Sequence, residues 1–264
     1  METTCAPMTD LTQWKQRVLL TRPAHQCHEL KRLFEDRGAT VFVQPTIEIL
    51  PPPEWQNADD TMASIADYDI LVFASSNGVR SFFERVKSLQ NPVDKDFVEN
   101  IPLTVATGLG TAESLAGYGV GNCLVPSESF DAEGIVALLS NHKIAGKRIL
   151  LVRGNRGRTL LPDELTRLGA DVEQISVYQS VDLTVPSPEI ASLVQYGTIQ
   201  WVTVTSSSIG RALVRMFGEN LRRTKLASIS PITSKTLTAV GFPPAVEAKE
   251  ATLASLVEAV VQAE

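Results

Sequence analysis

At 264 residues the chain is long for one domain and comfortable for two, since single cores stop growing near roughly 250 residues. A net charge of −6 argues against a general nucleic-acid binder, which needs a basic face, while 44% hydrophobic and 20% charged residues suit a packed core and exclude long disordered regions. No apolar run approaches the ~20 residues of a membrane span, the N-terminal METTCAPMTDLTQWKQR has no signal-peptide core, and Cys5, Cys27 and Cys123 are scattered without CxxC spacing. A cytoplasmic protein without disulfides, structural zinc or membrane attachment is expected.

In chain order, short β-branched runs alternate with amphipathic stretches. Strands are expected at 17–21, 39–44, 69–74, 102–106 and 122–126, then at 148–152, 170–178, 199–205, 226–230 and 244–248. Between them lie helical patterns such as HELKRLFEDRG, SFFERVKSL, AEGIVALLSNH, LPDELTRLG, RALVRMFGENL and LASLVEAVVQ. Strand–helix alternation predicts an α/β class with parallel sheets covered on both faces.

The two halves repeat each other. Arg17 and Arg148, Arg22 and Arg153, Gly38 and Gly169, Ser75 and Ser206, Ser76 and Ser207, and Arg80 and Arg211 are each 131 positions apart. Thr111 and Thr233, Leu115 and Leu237, and Gly119 and Gly241 follow at 122, with Ser230 at the place of Gly108. A constant offset over several elements implies two five-strand units. Proline-marked stretches at 47–55 and 184–190 read as linkers, because consecutive prolines cannot pair inside a sheet. Each follows the second strand of its own half, which leaves the domain boundaries either between the repeats or inside them.

Loops after strands carry many small hydroxyls: Ser75, Ser76, Asn77, Thr107, Thr111, Thr205, Ser206, Ser207, Ser208 and Thr233. At a helix start such groups cap free N–H donors, and the same N–H groups with the helix dipole attract carboxylates or phosphates. Both readings stand. Arg22, Arg80, Arg153, Arg156, Arg158, Arg211 and Lys235 are candidate cations for an anionic ligand, densest in RGNRGR at 153–158, or else a solvated surface. Tyr178 at a strand end is either a proton donor facing a crevice or a half-buried strand tyrosine. The sequence has no GxGxxG after the first strand, no P-loop and no GxSxG. HQCH at 25–28 lacks a second ligand group, and His142 stands alone near a helix end.

Together, FASSNGV, VTSSSIG, the block from LLVRGNRGRTLL to ISVYQS, GLGTAESL, SPITSKTL and the helices SFDAEGIVALL and ATLASLVEAV resemble the uroporphyrinogen-III synthase family from Arg17 to about Val261. The resemblance implies two flavodoxin-like parallel-sheet domains joined by a two-strand linker, residues 1–45 with 183–264 and residues 46–182. It implies a monomeric hydro-lyase of heme and tetrapyrrole biosynthesis, without cofactor or metal, that closes hydroxymethylbilane with loss of water and inversion of the last pyrrole ring. The preceding pathway enzyme is a further expected partner. By the same resemblance Tyr178 is the candidate acid, and Ser75, Ser76, Thr111, Arg153, Gly154, Ser206, Ser207 and Thr233 are candidate substrate-binding residues. Ile232 occupies a position that is often polar in the family. The competing reading is a non-catalytic two-lobed α/β ligand-binding protein, for which export is expected; a sugar-phosphate enzyme would want histidines or acid pairs that the loops lack.

Overall fold

A computed structural model describes residues 14–89, 95–157 and 159–264; Cys5 and Arg158 lie outside the described residues. The chain divides into two compact units, one running up to Glu48 and resuming at Val181–Glu264, the other Ile49–Ser180.

The first unit contains strands β1 (Arg17–Leu20), β2 (Thr40–Val43), β9 (Trp201–Val204), β10 (Lys225–Ser228) and β11 (Val246–Glu247), ordered β11-β10-β9-β1-β2. All four pairings are parallel. Val18, Leu19, Leu20, Trp201, Val202 and Val204 are fully buried, because β1 and β9 lie mid-sheet with helices over both faces, which is why they read as continuous apolar runs. Helices α1 (His28–Glu35) and α11 (Leu253–Gln262) bring Leu30, Phe34, Leu256, Val257 and Val260 onto the face of Val18, Leu20 and Trp201. Helices α8 (Pro188–Gln195), α9 (Ser207–Phe217) and α10 (Pro231–Ala239) complete the unit.

In the second unit a six-stranded sheet runs β3-β8-β7-β4-β5-β6, formed by β3 (Ile47–Leu50), β4 (Ile70–Phe73), β5 (Leu103–Ala106), β6 (Cys123–Leu124), β7 (Arg148–Gly154) and β8 (Asp171–Asp182). The β4–β5, β4–β7, β5–β6 and β7–β8 pairs are parallel. Strand alternation divides its core in two. Leu71, Phe73, Leu150 and Val152 face α2 (Gln56–Ala63), α3 (Ser76–Leu89) and α5 (Leu109–Ala116). Ile70, Val72, Ile149 and Leu151 face α6 (Ala132–Ser140) and α7 (Leu160–Arg167). A short α4 (Lys95–Glu99) precedes β5.

Matched through the repeat, β7, β8, β4, β5 and β6 correspond to β1, β2, β9, β10 and β11 and stand in the same spatial order. Both sheets thus have the doubly wound 2-1-3-4-5 arrangement, entered at different points of the chain. The repeat extends to backbone conformation. Gly38 and Gly169 (φ 86° and 90°), like Gly119 and Gly241 (φ 88° and 85°), occupy the left-handed region at matching turns, where a side chain is strained.

Two details depart from the expected elements. Ile47–Leu50 forms an eleventh strand where a proline-marked connection was expected: the alternating Ile-Glu-Ile-Leu pairs at the edge before the prolines begin. The second proline stretch is in part a helix start, with Ser187 capping α8 through Ile190 N–H and Pro188 in its first turn, where a missing N–H costs nothing.

Candidate active site

Ligands of doubly wound sheets bind beyond the carboxyl ends of the strands, where the strand order reverses. In the second unit that point lies between β7 and β4, where Phe73, the last residue of β4, pairs with Val152 of β7. Ser75 follows β4 and opens α3: its Oγ accepts from Gly78 N–H at 3.1 Å. The loop is therefore a helix cap, as the bland reading expects.

The same Oγ lies 3.1 Å from the phenol oxygen of Tyr178. This contact across 103 positions depends on an irregularity in β8. Arg153 pairs with Ser176 while Gly154 pairs with Tyr178, so Val177 is the extra residue of a bulge, a device that re-aims side chains. Gly154 is the seat of the ring: a Cβ there would lie 2.5 Å from Tyr178 Cζ, so any larger residue would displace it. Asn155 fastens the bulge from both directions, donating its N–H to Tyr178 O at 3.1 Å and accepting from Ser180 N–H on Oδ1 at 2.9 Å. Tyr178 is consequently half-buried, with its body packed and its hydroxyl held.

The other candidates of this unit surround the pair without all touching it. Ser76 Oγ donates to Gly110 O at 2.9 Å, tying the start of α3 to that of α5. Thr111 is buried in the first turn of α5. Arg153 donates from Nη1 to Gln174 Oε1 at 2.8 Å, and its guanidinium fills the space where a Cβ on Gly157 would sit. Arg80 donates to Asn77 Oδ1 at 3.2 Å.

The first unit repeats the loop but not the tyrosine. Ser206 Oγ accepts from Ile209 N–H at 3.2 Å and Ser207 Oγ donates to Ile232 O at 3.3 Å, the repeat counterparts of the Ser75 and Ser76 contacts. The position often polar in the family contributes its backbone carbonyl, which any residue supplies. Thr233 is buried, with Oγ1 3.1 Å from Ser230 Oγ. Gly108 and Ser230 have φ of −167° and −162°, extended backbone open to any residue, so serine replaces glycine here without strain. The counterpart of Tyr178 by the repeat offset is Ile47, which is buried, so the two strand-end sites differ in chemistry.

Cys27 is buried and His28 is exposed in the first turn of α1, and His142 Nδ1 lies 3.0 Å from Leu138 O past the end of α6. Among the described residues no group of three His, Cys, Asp or Glu side chains is placed to hold a metal ion, and no helix is long and apolar enough to cross a membrane. Asn155 carries no signal of this role in the sequence. It lies inside RGNRGR, a segment read for its arginines, and its contacts depend on the bulge.

The family model of uroporphyrinogen-III synthase HemD matches residues 28–258. The uroporphyrinogen-III synthase of Synechococcus elongatus is 31% identical over 256 residues, covering 93% of this chain and 94% of the relative. That of Escherichia coli is 30% identical over 192 residues, covering 73% and 76%. Among solved structures, a mutant uroporphyrinogen III synthase from Thermus thermophilus matches with a TM-score of 0.66 at 19% identity, covering 94% of this chain and 98% of that one. A uroporphyrinogen-III synthetase from Helicobacter pylori gives 0.59 at 18% identity, covering 94% and 100%. The structural matches concern the fold, and the family model with the Synechococcus relative carries the assignment: the chain belongs to the uroporphyrinogen-III synthase family of hydro-lyases.

Proposed function

We propose that the chain closes hydroxymethylbilane to uroporphyrinogen III, with Tyr178 giving the proton to the departing hydroxyl. The electron-rich pyrrole expels the protonated hydroxyl as water and becomes an azafulvene, which the substituted carbon of the last ring attacks to give a spiro centre. The old bond from that carbon to its methylene bridge then breaks, the azafulvene so freed is attacked by the other α-carbon of the turned ring, and loss of a proton there restores the pyrrole. The protein therefore has to supply one proton, exclude water and hold the chain so that this carbon arrives first.

The observation that carries the reading is the Tyr178–Ser75 hydroxyl pair, 3.1 Å apart at the strand ends. Gly78 N–H donates to Ser75 Oγ, so Ser75 can turn its own proton toward the phenol oxygen while the phenol proton points outward. Once Tyr178 has released its proton, the resulting phenolate faces a hydroxyl donor that is itself polarised by the positive end of α3. Ser76, Thr111, Arg153, Ser206, Ser207 and Thr233 are proposed to meet the carboxylates through hydroxyls, guanidinium and helix-start N–H groups. Gly154 acts through Tyr178. The test is incubation of the purified chain with freshly prepared hydroxymethylbilane and separation of the product isomers. The inverted isomer in excess over the spontaneous one supports the reading, and the spontaneous mixture alone refutes it.

A cytoplasmic location, a monomeric state and hand-over from the enzyme that makes the unstable linear tetrapyrrole belong to the same proposal. The acidic net charge and the scattered cysteines support the first of these.

A further inference from the structure

We infer that Arg22, in the unit lacking the tyrosine, is an anion anchor that takes one carboxylate of the substrate. The identity of that carboxylate's owner rests on the proposed function; the existence of an anion site rests on geometry alone. Arg22 follows β1 at the point where the order of its sheet reverses, beside the end of β9, since Leu20 pairs with Thr203. Its backbone is fixed from several directions. Thr21 Oγ1 donates to Thr203 O at 2.5 Å, Thr46 N–H donates to Thr21 O at 3.2 Å, and Pro23 confines the preceding residue to extended conformations.

The side chain it presents is unusual for this protein. Arg22 Nε is shut off from solvent and has no hydrogen-bond partner, and its Nη2 makes a long contact, 3.5 Å, to Gln26 Oε1. Among the described residues no carboxylate lies within ion-pair distance of it, whereas Arg37, Arg85, Arg148, Arg167, Arg215 and Arg222 each have one. Burial draws its pKa below the usual arginine value, opposed at longer range by Cys27 and Glu29. A desolvated guanidinium without an acid destabilises the fold that carries it. The side chain as a whole is only half-buried, and the outer Nη1–Nη2 edge of a guanidinium fork is complementary to the two oxygens of a carboxylate. The repeat counterpart Arg153 already has Gln174 as an acceptor.

The experiment compares wild type, R22M and R22K by steady-state kinetics on hydroxymethylbilane and by thermal unfolding with and without tricarballylate, a simple polycarboxylate. For R22M we expect KM raised about 10- to 100-fold with kcat within a few-fold, the loss of a charge-assisted bond made equally in ground and transition states. Unliganded R22M should also melt as high as wild type or slightly higher, since it removes a half-buried charge that has no ion-pair partner, and should lose the protection that tricarballylate gives wild type. A lower melting temperature with unchanged KM would overturn the proposal and make Arg22 a structural residue. Should R22M fail to fold, R22K decides: raised KM with retained kcat supports the anchor, and wild-type KM overturns it. If wild type does not turn over hydroxymethylbilane, yet its protection by tricarballylate is lost in R22M, the anion site stands and the substrate assignment falls.

Discussion

Tyr178 and Ser75, 103 residues apart in sequence, hold their hydroxyl oxygens 3.1 Å from each other, and a backbone N–H from the first turn of α3 completes the chain. If the phenol is the proton donor, Tyr178→Phe slows conversion by about 10² to 10⁴, and we expect the lower end because ordered water can substitute. The sharper readout is the product, which should shift from the inverted toward the uninverted isomer. The variant stays folded, since one hydroxyl contributes about 1 kcal/mol. Wild-type rate with an unchanged isomer ratio would reduce Tyr178 to a packing residue.

Because Ser75 and Ser206 make the same cap in the two repeats, they form an internal control. Ser75→Ala and Ser206→Ala should each lose about 0.5–2 kcal/mol of stability, the usual cost of removing such a cap, measured by denaturant unfolding. Ser75→Ala, which also strips Tyr178 of its partner, should change the isomer ratio more than Ser206→Ala, which removes one proposed substrate contact. Equal effects on product from both variants would show that the hydroxyl pair has no special part in proton transfer.

That contrast also marks what was legible in the sequence. The ten expected strands all form, because β-branched runs buried on both faces are conspicuous, and the repeat offsets predict pairs such as Ser76 with Ser207 that make equivalent contacts in the structure. The edge strand Ile47–Leu50 was hidden by the prolines that follow it. The Tyr178–Gly154–Asn155 arrangement was not legible as geometry, since it depends on where β8 bulges and the residue types do not announce a register shift. Likewise Arg22 and Arg153 look alike in sequence, and only burial and partners separate them.

Activity should be unaffected by chelators. Among the described residues no His, Cys, Asp and Glu cluster is arranged as a metal site, and the proposed proton transfer uses hydroxyls alone. The test is dialysis against a strong chelator followed by assay on hydroxymethylbilane; activity lost and then restored by a divalent ion would contradict the mechanism.

Acid sensitivity of the second unit should depend on Asp59. Arg85 donates to both its carboxylate oxygens, at 2.8 and 2.5 Å, and this hydrogen bonding holds the Asp59 carboxyl below its ordinary pKa. A folded-state pKa below the unfolded value means that the contribution is fully present above about pH 4–5 and is lost as pH falls through and below the unfolded carboxylate value of about 3.9. Asp59→Asn should therefore be less stable than wild type at neutral pH, with the difference shrinking as the pH falls toward 3. A constant difference from pH 7 to pH 3, followed by thermal unfolding, would mean that the ion pair is not its source.

The seat of the Tyr178 ring yields the most specific test. A methyl group on Gly154 would sit 2.5 Å from Cζ, 2.6 Å from Cε2 and 2.9 Å from Cε1 of Tyr178, against the ring itself and not against a flexible tip. Gly154→Ala should therefore cost about 1–3 kcal/mol from overpacking and lose activity and isomer control as Tyr178→Phe does, because the phenol is pushed away from Ser75. The clash is with one side chain, so removing that side chain removes the penalty. In the double variant Gly154→Ala with Tyr178→Ala, the glycine substitution should add almost nothing to the destabilisation already caused by Tyr178→Ala. The resulting interaction energy should fall in the range of about 0.5–3 kcal/mol found for residues in contact. Additive losses would mean that Gly154 is needed for its own backbone and not for the ring, and the placement of the proton donor would then have to come from Ser75 and Asn155 alone.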